Sequence, residues 1–159
     1  MPYSSLLRNR LSEAQQSYAL TFCVRNRMPA FKVPVAAFQI IEALKRSAAL
    51  GYCQSLAWVV MPDHIHLLFG RRNKLDDVDK FAGRIKRLIN KAFSRRNLAK
   101  LHWRDGCVSY DVKLGGLKRA HDYILANPVR GQLVKSPEDW QWSGSPHPLP
   151  EGADAGEEE

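Results

Sequence analysis

The segment Trp58-Val59-Val60-Met61-Pro62-Asp63-His64-Ile65-His66-Leu67-Leu68-Phe69 constrains this chain more than any other. An apolar run passes through two histidines separated by one apolar residue and then continues. In an extended strand successive side chains alternate between faces. His64 and His66 therefore project together, while Ile65 and Leu67 point the other way into a core. The pattern predicts one strand from about Gln54 to Phe69, broken by Gly70-Arg71-Arg72-Asn73. Burying two imidazoles on such a strand costs free energy unless each finds a partner. Two readings satisfy that demand: structural histidines hydrogen-bonded across the sheet, or half of a metal site, since neutral imidazole is the commonest metal ligand.

A chain of 159 residues is sized for one domain. The sequence divides into a single domain over residues 1–148 and a disordered acidic tail over 149–159. No apolar stretch reaches the roughly 18 residues that a membrane span needs. The opening Met1-Pro2-Tyr3-Ser4-Ser5-Leu6-Leu7-Arg8 lacks a signal-peptide core. Cys23, Cys53 and Cys107 are odd in number and far apart, which fits reduced thiols in a cytoplasm better than a disulfide framework or a zinc clip. Charge says more. The net charge is +8, yet the last nine residues hold five of the 16 acidic side chains and no basic ones. The remainder sets 24 basic against 11 acidic groups, a net +13. A field of that sign favours a polyanion, so DNA at the nucleoid is the expected partner and a membrane is not.

Ser17 to Arg25, rich in β-branched and aromatic residues, reads as a strand. Pro34 suits the first turn of a helix, on which Val35, Phe38, Ile41, Leu44 and Ala48 recur at helical spacing before a capping Gly51. A second helix spans Leu75 to Arg96, with Phe81, Ile85, Leu88, Ala92 and Phe93 as its apolar stripe. Arg84, Lys86, Arg87, Lys91, Arg95 and Arg96 cover its remaining surface with few acidic residues to pair with, so it reads as a phosphate-facing surface. Leu101 to Val112 reads as a strand or strand pair, and Gly115-Gly116 as a turn. A short helix from Leu117 ends near Asn127, because Pro128 disfavours helical geometry in the residue before it. The rest, through Trp140-Gln141-Trp142-Ser143, reads as irregular chain wrapped on the body. Alternating strands and helices in this order predict an α+β fold, a ferredoxin-like antiparallel sheet with helices packed on one face.

On the short helix Leu117, Ala120 and Ile124 fall on one stripe, and Arg119, Tyr123 and Asn127 fall roughly opposite. A phenol, an amide and a guanidinium on one helix, beside a histidine pair in a basic body, describe a site for phosphoryl transfer. A phenol with pKa about 10 is a poor nucleophile at neutral pH without help from a cation or base. A divalent ion on His64 and His66 could polarise a phosphate oxygen. Two imidazoles underfill an Mg²⁺ or Mn²⁺ shell, to which the amide oxygen of Asn127, water and phosphate could add ligands. Attack by Tyr123 on a DNA phosphodiester would leave the strand attached through a phosphotyrosine, which preserves the bond for rejoining.

These residues also carry a resemblance. Pro62-Asp63-His64-Ile65-His66 on a strand, followed by Asp122-Tyr123-Ile124-Leu125-Ala126-Asn127-Pro128-Val129-Arg130 after a basic helix, resembles the HUH single-tyrosine transposases. Asn127-Pro128-Val129-Arg130, Trp140-Gln141-Trp142-Ser143 and the opening Tyr18 to Arg27 are similar to the REP-associated tyrosine transposase branch, so the likeness covers about residues 17 to 145. The chain departs from that branch in the position of Gly131 and around Cys107 to Asp111. The resemblance implies a ferredoxin-like fold and metal-dependent cleavage of single-stranded DNA near a hairpin, such as a REP-like palindrome, with a 5′-phosphotyrosine and a free 3′-hydroxyl. Carried over by residue, His64, His66 and Asn127 are metal ligands and Tyr123 is the nucleophile.

The leading expectation is a metal-dependent DNA strand-transferase. Arg84, Arg87, Lys91, Arg95, Arg96 and Arg119 would contact DNA, and each monomer would serve its own site rather than a dimer partner's. His102 and His121 read as structural or substrate contacts. A non-catalytic nucleic-acid-binding module on the same fold is the alternative, indifferent to loss of the tyrosine or the metal. A phosphodiesterase using activated water would share the histidines and dispense with Tyr123.

Overall fold

The computed structural model describes residues 16–71 and 77–156. Alternation of apolar side chains draws β1 (Gln16–Cys23), β2 (Gln54–Val60), β3 (His64–Arg71) and β4 (Val108–Val112) into one sheet, which a two-residue β5 (Ser143–Gly144) extends. The spatial order is β4-β1-β3-β2-β5, and each neighbouring pair is antiparallel. Helix α1 (Pro34–Ala49) joins β1 to β2, and α2 (Val78–Arg95) lies between β3 and β4. This is the expected ferredoxin-like sheet, with both long helices on one face. Tyr18, Leu20, Phe22, Ile65, Leu67 and Phe69 point from the sheet into the core they share with those helices.

The opposite face has its own core. Helix α3 (Leu117–Leu125) lays Leu117, Ala120 and Ile124 on Ala19, Ala57, Val59 and Leu68. Leu117 and Ile124 are both buried, each contributing about 1.5–3 kcal/mol by the usual cost of exposing such a side chain. A single-turn α4 (Asn127–Arg130) follows directly.

Four expectations change. The strand expected from Gln54 to Phe69 is a hairpin, β2 and β3 turning at Met61-Pro62-Asp63. Pro62 has no N–H for a central ladder, so the chain turns there. The Met61 N–H donates to His64 O, while Phe31 N–H donates to Pro62 O and Val24 N–H to Asp63 O, pinning the turn from outside. In α1 the buried stripe is Ala37, Ile40, Ile41 and Leu44, and Val35 and Phe38 are exposed. In α2 the first residue is Val78, capped by the Asp77 carboxylate on the Lys80 N–H at 3.1 Å, and Ile89 is buried within the stripe; Leu75 lies outside the described residues. The segment expected as a solvated tail packs on the body as far as Gly156. Ala153 is buried, its carbonyl accepts from Lys118 N–H, and Gly156 N–H donates to Gly115 O.

Candidate active site

Register places the two imidazoles. Cys23 pairs with His64 and Thr21 with His66, so the histidines lie on the sheet face that also carries Leu68 and receives α3. Their rings stand edge to face with centroids 4.8 Å apart. Each Nδ1 already has a partner: His64 Nδ1 lies 2.6 Å from Asp63 Oδ1, and His66 Nδ1 lies 2.8 Å from Thr21 Oγ1. A carboxylate only accepts, so His64 donates its Nδ1–H and leaves Nε2 as the nitrogen turned to any further partner. The tautomer in which His66 donates to Thr21 does the same. Asp63 is itself held, its Oδ2 2.8 Å from Arg27 Nε. Asn26 and Arg27 adopt left-handed φ of 59° and 54°, a conformation non-glycine residues seldom take, in the turn that delivers this guanidinium.

Burial, then the nearby charges of His64, Arg130 and Arg27, push the His66 pKa down from 6.5 to about 4. At neutral pH His66 is an uncharged imidazole, the form that donates a lone pair to a metal. Among the described residues no group of three or more His, Cys, Asp or Glu side chains is placed to hold an ion. Two adjacent imidazoles with engaged Nδ1 atoms fit a divalent ion as a partial ligand set, the remainder falling to oxygen donors.

The tyrosine comes from α3. That helix ends at Leu125, and the chain re-enters a helical turn at Asn127, where Pro128 sits in the first turn and its missing N–H is harmless. The turn folds Arg130 back over the preceding helix. Its Cζ stands 3.7 Å from the Tyr123 ring centroid, and its Nη2 donates to Tyr123 O at 2.7 Å. The charge of Arg130 also reaches His66, where it favours the neutral imidazole. Tyr123 is 58% exposed and open to a large substrate. The Asn127 Nδ2 donates to Ile124 O at 3.0 Å, which leaves Oδ1 as the ligand atom of that amide.

The structure thus pairs His64 with His66 and Arg130 with Tyr123, on a helix packed against the histidine face, with Asn127 one helical turn beyond Tyr123. Arg119 lines the same cavity as Tyr123. Arg84, Arg87, Lys91, Arg95 and Arg96 stand exposed on or beside α2, which packs on the other face of the sheet. Arg84 lies over the Tyr52 ring at 5.9 Å. Lys86 donates to Arg104 O and Gly106 O at 3.0 and 2.7 Å, holding the approach to β4. His121 Nε2 contacts Ser145 Oγ at 2.8 Å, tying α3 to the chain after β5. Thr21, Arg27, Asp63 and Arg130 escaped the sequence reading as site residues. All four lie within the motifs that carry the resemblance, and the pairing of Thr21 with His66 follows only from strand register.

Among the described residues no helix is long and apolar enough to cross a membrane. The chain matches the family described as transposase IS200-like over residues 12–127. A REP-associated tyrosine transposase of Escherichia coli (strain K12) is 31% identical over 88 residues, which make up 55% of this chain and 51% of that protein. The chain therefore spans about half the length of that relative. A solved REP-associated tyrosine transposase bound to a REP hairpin shares the fold with a TM-score of 0.60 at 23% identity, covering 80% of this chain and 75% of that one. A Deinococcus radiodurans R1 protein assigned as a transposase does so with a TM-score of 0.53 at 20% identity, covering 69% and 88%. The family match takes in β1 to β4, both long helices and the tyrosine helix, and the chain belongs to the IS200-like transposase family.

Proposed function

We propose that this protein is a DNA strand-transferase that cleaves single-stranded, hairpin-associated DNA through Tyr123 and can rejoin the strand. One observation carries the reading: α3 packs on the face that bears His64 and His66, and presents Tyr123 with Arg130 stacked on its ring. In the reaction Tyr123 Oη forms a bond to phosphorus as the bond to the 3′ oxygen breaks. The products are a 5′-phosphotyrosine and a 3′-hydroxyl, which takes up the proton. Arg130 opposes the negative charge that grows on the phenol oxygen. His64, His66 and the Asn127 oxygen would hold Mg²⁺ or Mn²⁺, which supplies Lewis-acid stabilisation of phosphate charge. Asp63 and Thr21 fix the two rings. A hairpin as substrate is supported by the family and by the hairpin bound to its structural relative.

The test is a denaturing gel with labelled hairpin DNA carrying single-stranded flanks, with and without Mg²⁺ or Mn²⁺. A covalent adduct that needs the ion and is lost in Tyr123→Phe and His64→Ala is expected. Cleavage without an adduct would move the chemistry to activated water. Metal-independent binding with no cleavage of any host-genome hairpin would make the protein a binding module.

A further inference from the structure

Between α3 and β4 lies a cavity of about 740 Å³ walled by Tyr110, Val112, Lys118, Arg119 and Tyr123, with Asp154 also lining it. Register connects this cavity to the histidine pair. Val108 stands opposite Thr21, Tyr110 opposite Ala19 and Val112 opposite Ser17. Thr21 holds His66, so the three β4 side chains lie on the histidine face in a row that starts beside His66's partner and ends in the cavity. Strand rise sets successive members of the row about 7 Å apart. Val108 is 70% exposed and Tyr110 51%. An edge strand normally blunts such a surface with charge, so bare apolar side chains here point to a ligand. The ligand's character follows from the cavity's other wall, where Lys118 and Arg119 supply cations next to an exposed phenol. Aromatic face and flanking cations are what a single nucleic-acid strand requires, since every base has a π-face and every linkage a charge.

We propose that this row and cavity form a subsite for the single DNA strand on one side of the phosphate that Tyr123 attacks, with Tyr110 stacking on a base and Arg119 gripping a phosphate. The proposal rests on the reading of Tyr123 as the nucleophile for its position next to the cleavage point. Lys118 is held by Asp122 at 2.5 Å, which makes Arg119 the principal phosphate contact. Asp154 opposes an anion in the same cavity and provides a control of opposite sign. The rival surface is on the other face of the sheet, where Arg84, Arg87 and Lys91 surround Tyr52.

The experiment uses full-length Tyr123→Phe protein, so that no strand is cut, and hairpin oligonucleotides with 2-aminopurine at successive single-stranded positions. Stacking on Tyr110 is expected to quench fluorescence at one position. Tyr110→Ala removes the quench and weakens binding about tenfold, within the range for a lost base stack, and Tyr110→Phe retains both. Arg119→Gln lowers the slope of log affinity against log salt by about one. Asp154→Asn tightens binding. Unchanged melting temperatures show that each exposed-site variant is folded. Wild-type affinity in Tyr110→Ala, with loss in Arg84→Gln and Arg87→Gln, would overturn the subsite and send the strand across the other face. The covalent-adduct assay on otherwise native protein reports the nucleophile separately. An adduct with Tyr110-independent binding sinks the subsite alone; a Tyr110-dependent quench without an adduct supports the subsite and removes the nucleophile reading.

Discussion

Asp63 Oδ1 lies 2.6 Å from His64 Nδ1, and the same carboxylate takes Arg27 through its other oxygen at 2.8 Å. If His64 holds the proposed metal, a carboxylate behind its ring fixes the ring and raises its basicity. Asp63→Ala is therefore expected to weaken Mn²⁺ binding about 10- to 100-fold, the usual cost of losing such a partner. Asp63→Asn, which keeps an acceptor oxygen, should restore part of the affinity. Calorimetric titration of Mn²⁺ into the three proteins checks this, and equal affinities would remove Asp63 from the proposed metal site.

Arg130 is the second residue whose role comes from geometry. Its guanidinium covers the Tyr123 ring at 3.7 Å and anchors to the Tyr123 carbonyl. Replacing it with alanine removes both the cation beside the phenol and the restraint on its rotamer. Single-turnover adduct formation at saturating DNA is expected to slow about two- to fivefold, from the worth of one exposed cation–π contact. Lysine should not substitute, because a compact ammonium cannot reproduce a stacked planar fork. An unchanged rate at saturation, with only DNA affinity reduced, would make Arg130 a binding group.

The depressed His66 pKa makes a claim about acid stability. Unfolded, the imidazole takes a proton near 6.5; folded, it does so at about 4. The unfolded state thus binds more protons between those values, and folding stability falls as pH drops from 6.5 towards 4. Above 6.5 this contribution is constant. Urea midpoints of metal-free protein at pH 7.5 and pH 5 should differ more in the wild type than in His66→Gln. Equal differences would mean that His66 titrates normally in the fold.

Much of this was legible in the sequence, for physical reasons that differ by element. Period-two alternation put His64 and His66 on one face, and the Leu117, Ala120, Ile124 stripe gave α3 its buried side. Both patterns are local, and local geometry decides them. The hairpin was hidden because the residues on either side of Pro62 are equally apolar, although the proline was itself the signal. The α1 stripe turned because several apolar residues share that helix and tertiary packing chose Ile40 and Ala37 over Phe38 and Val35. No local pattern could tell that α2 and α3 land on opposite faces, which separates the basic helix from the histidines. Thr21 as the partner of His66 is a consequence of register between residues 45 positions apart.

The edge of the sheet beyond β2 gives a final prediction. Val60 N–H donates to Trp142 O at 2.8 Å, and Trp140 Nε1 donates to Val60 O at 3.2 Å, so the Trp140-Gln141-Trp142-Ser143 segment clasps the last residue of β2. Val60 leads straight into the turn that presents Asp63 and His64. Gly144 pairs with Trp58 in β5, and a Cβ at that position would collide with the indole ring. The indole is buried in the core and has little room to yield. Gly144→Ala is expected to destabilise the protein by about 1–3 kcal/mol, the range for overpacking. Loss of the clasp should also loosen the turn, so Mn²⁺ affinity should fall together with the urea midpoint. Reduced stability with native metal affinity would show that the turn is held from the other side, by Val24 and Phe31 on the carbonyls of Asp63 and Pro62.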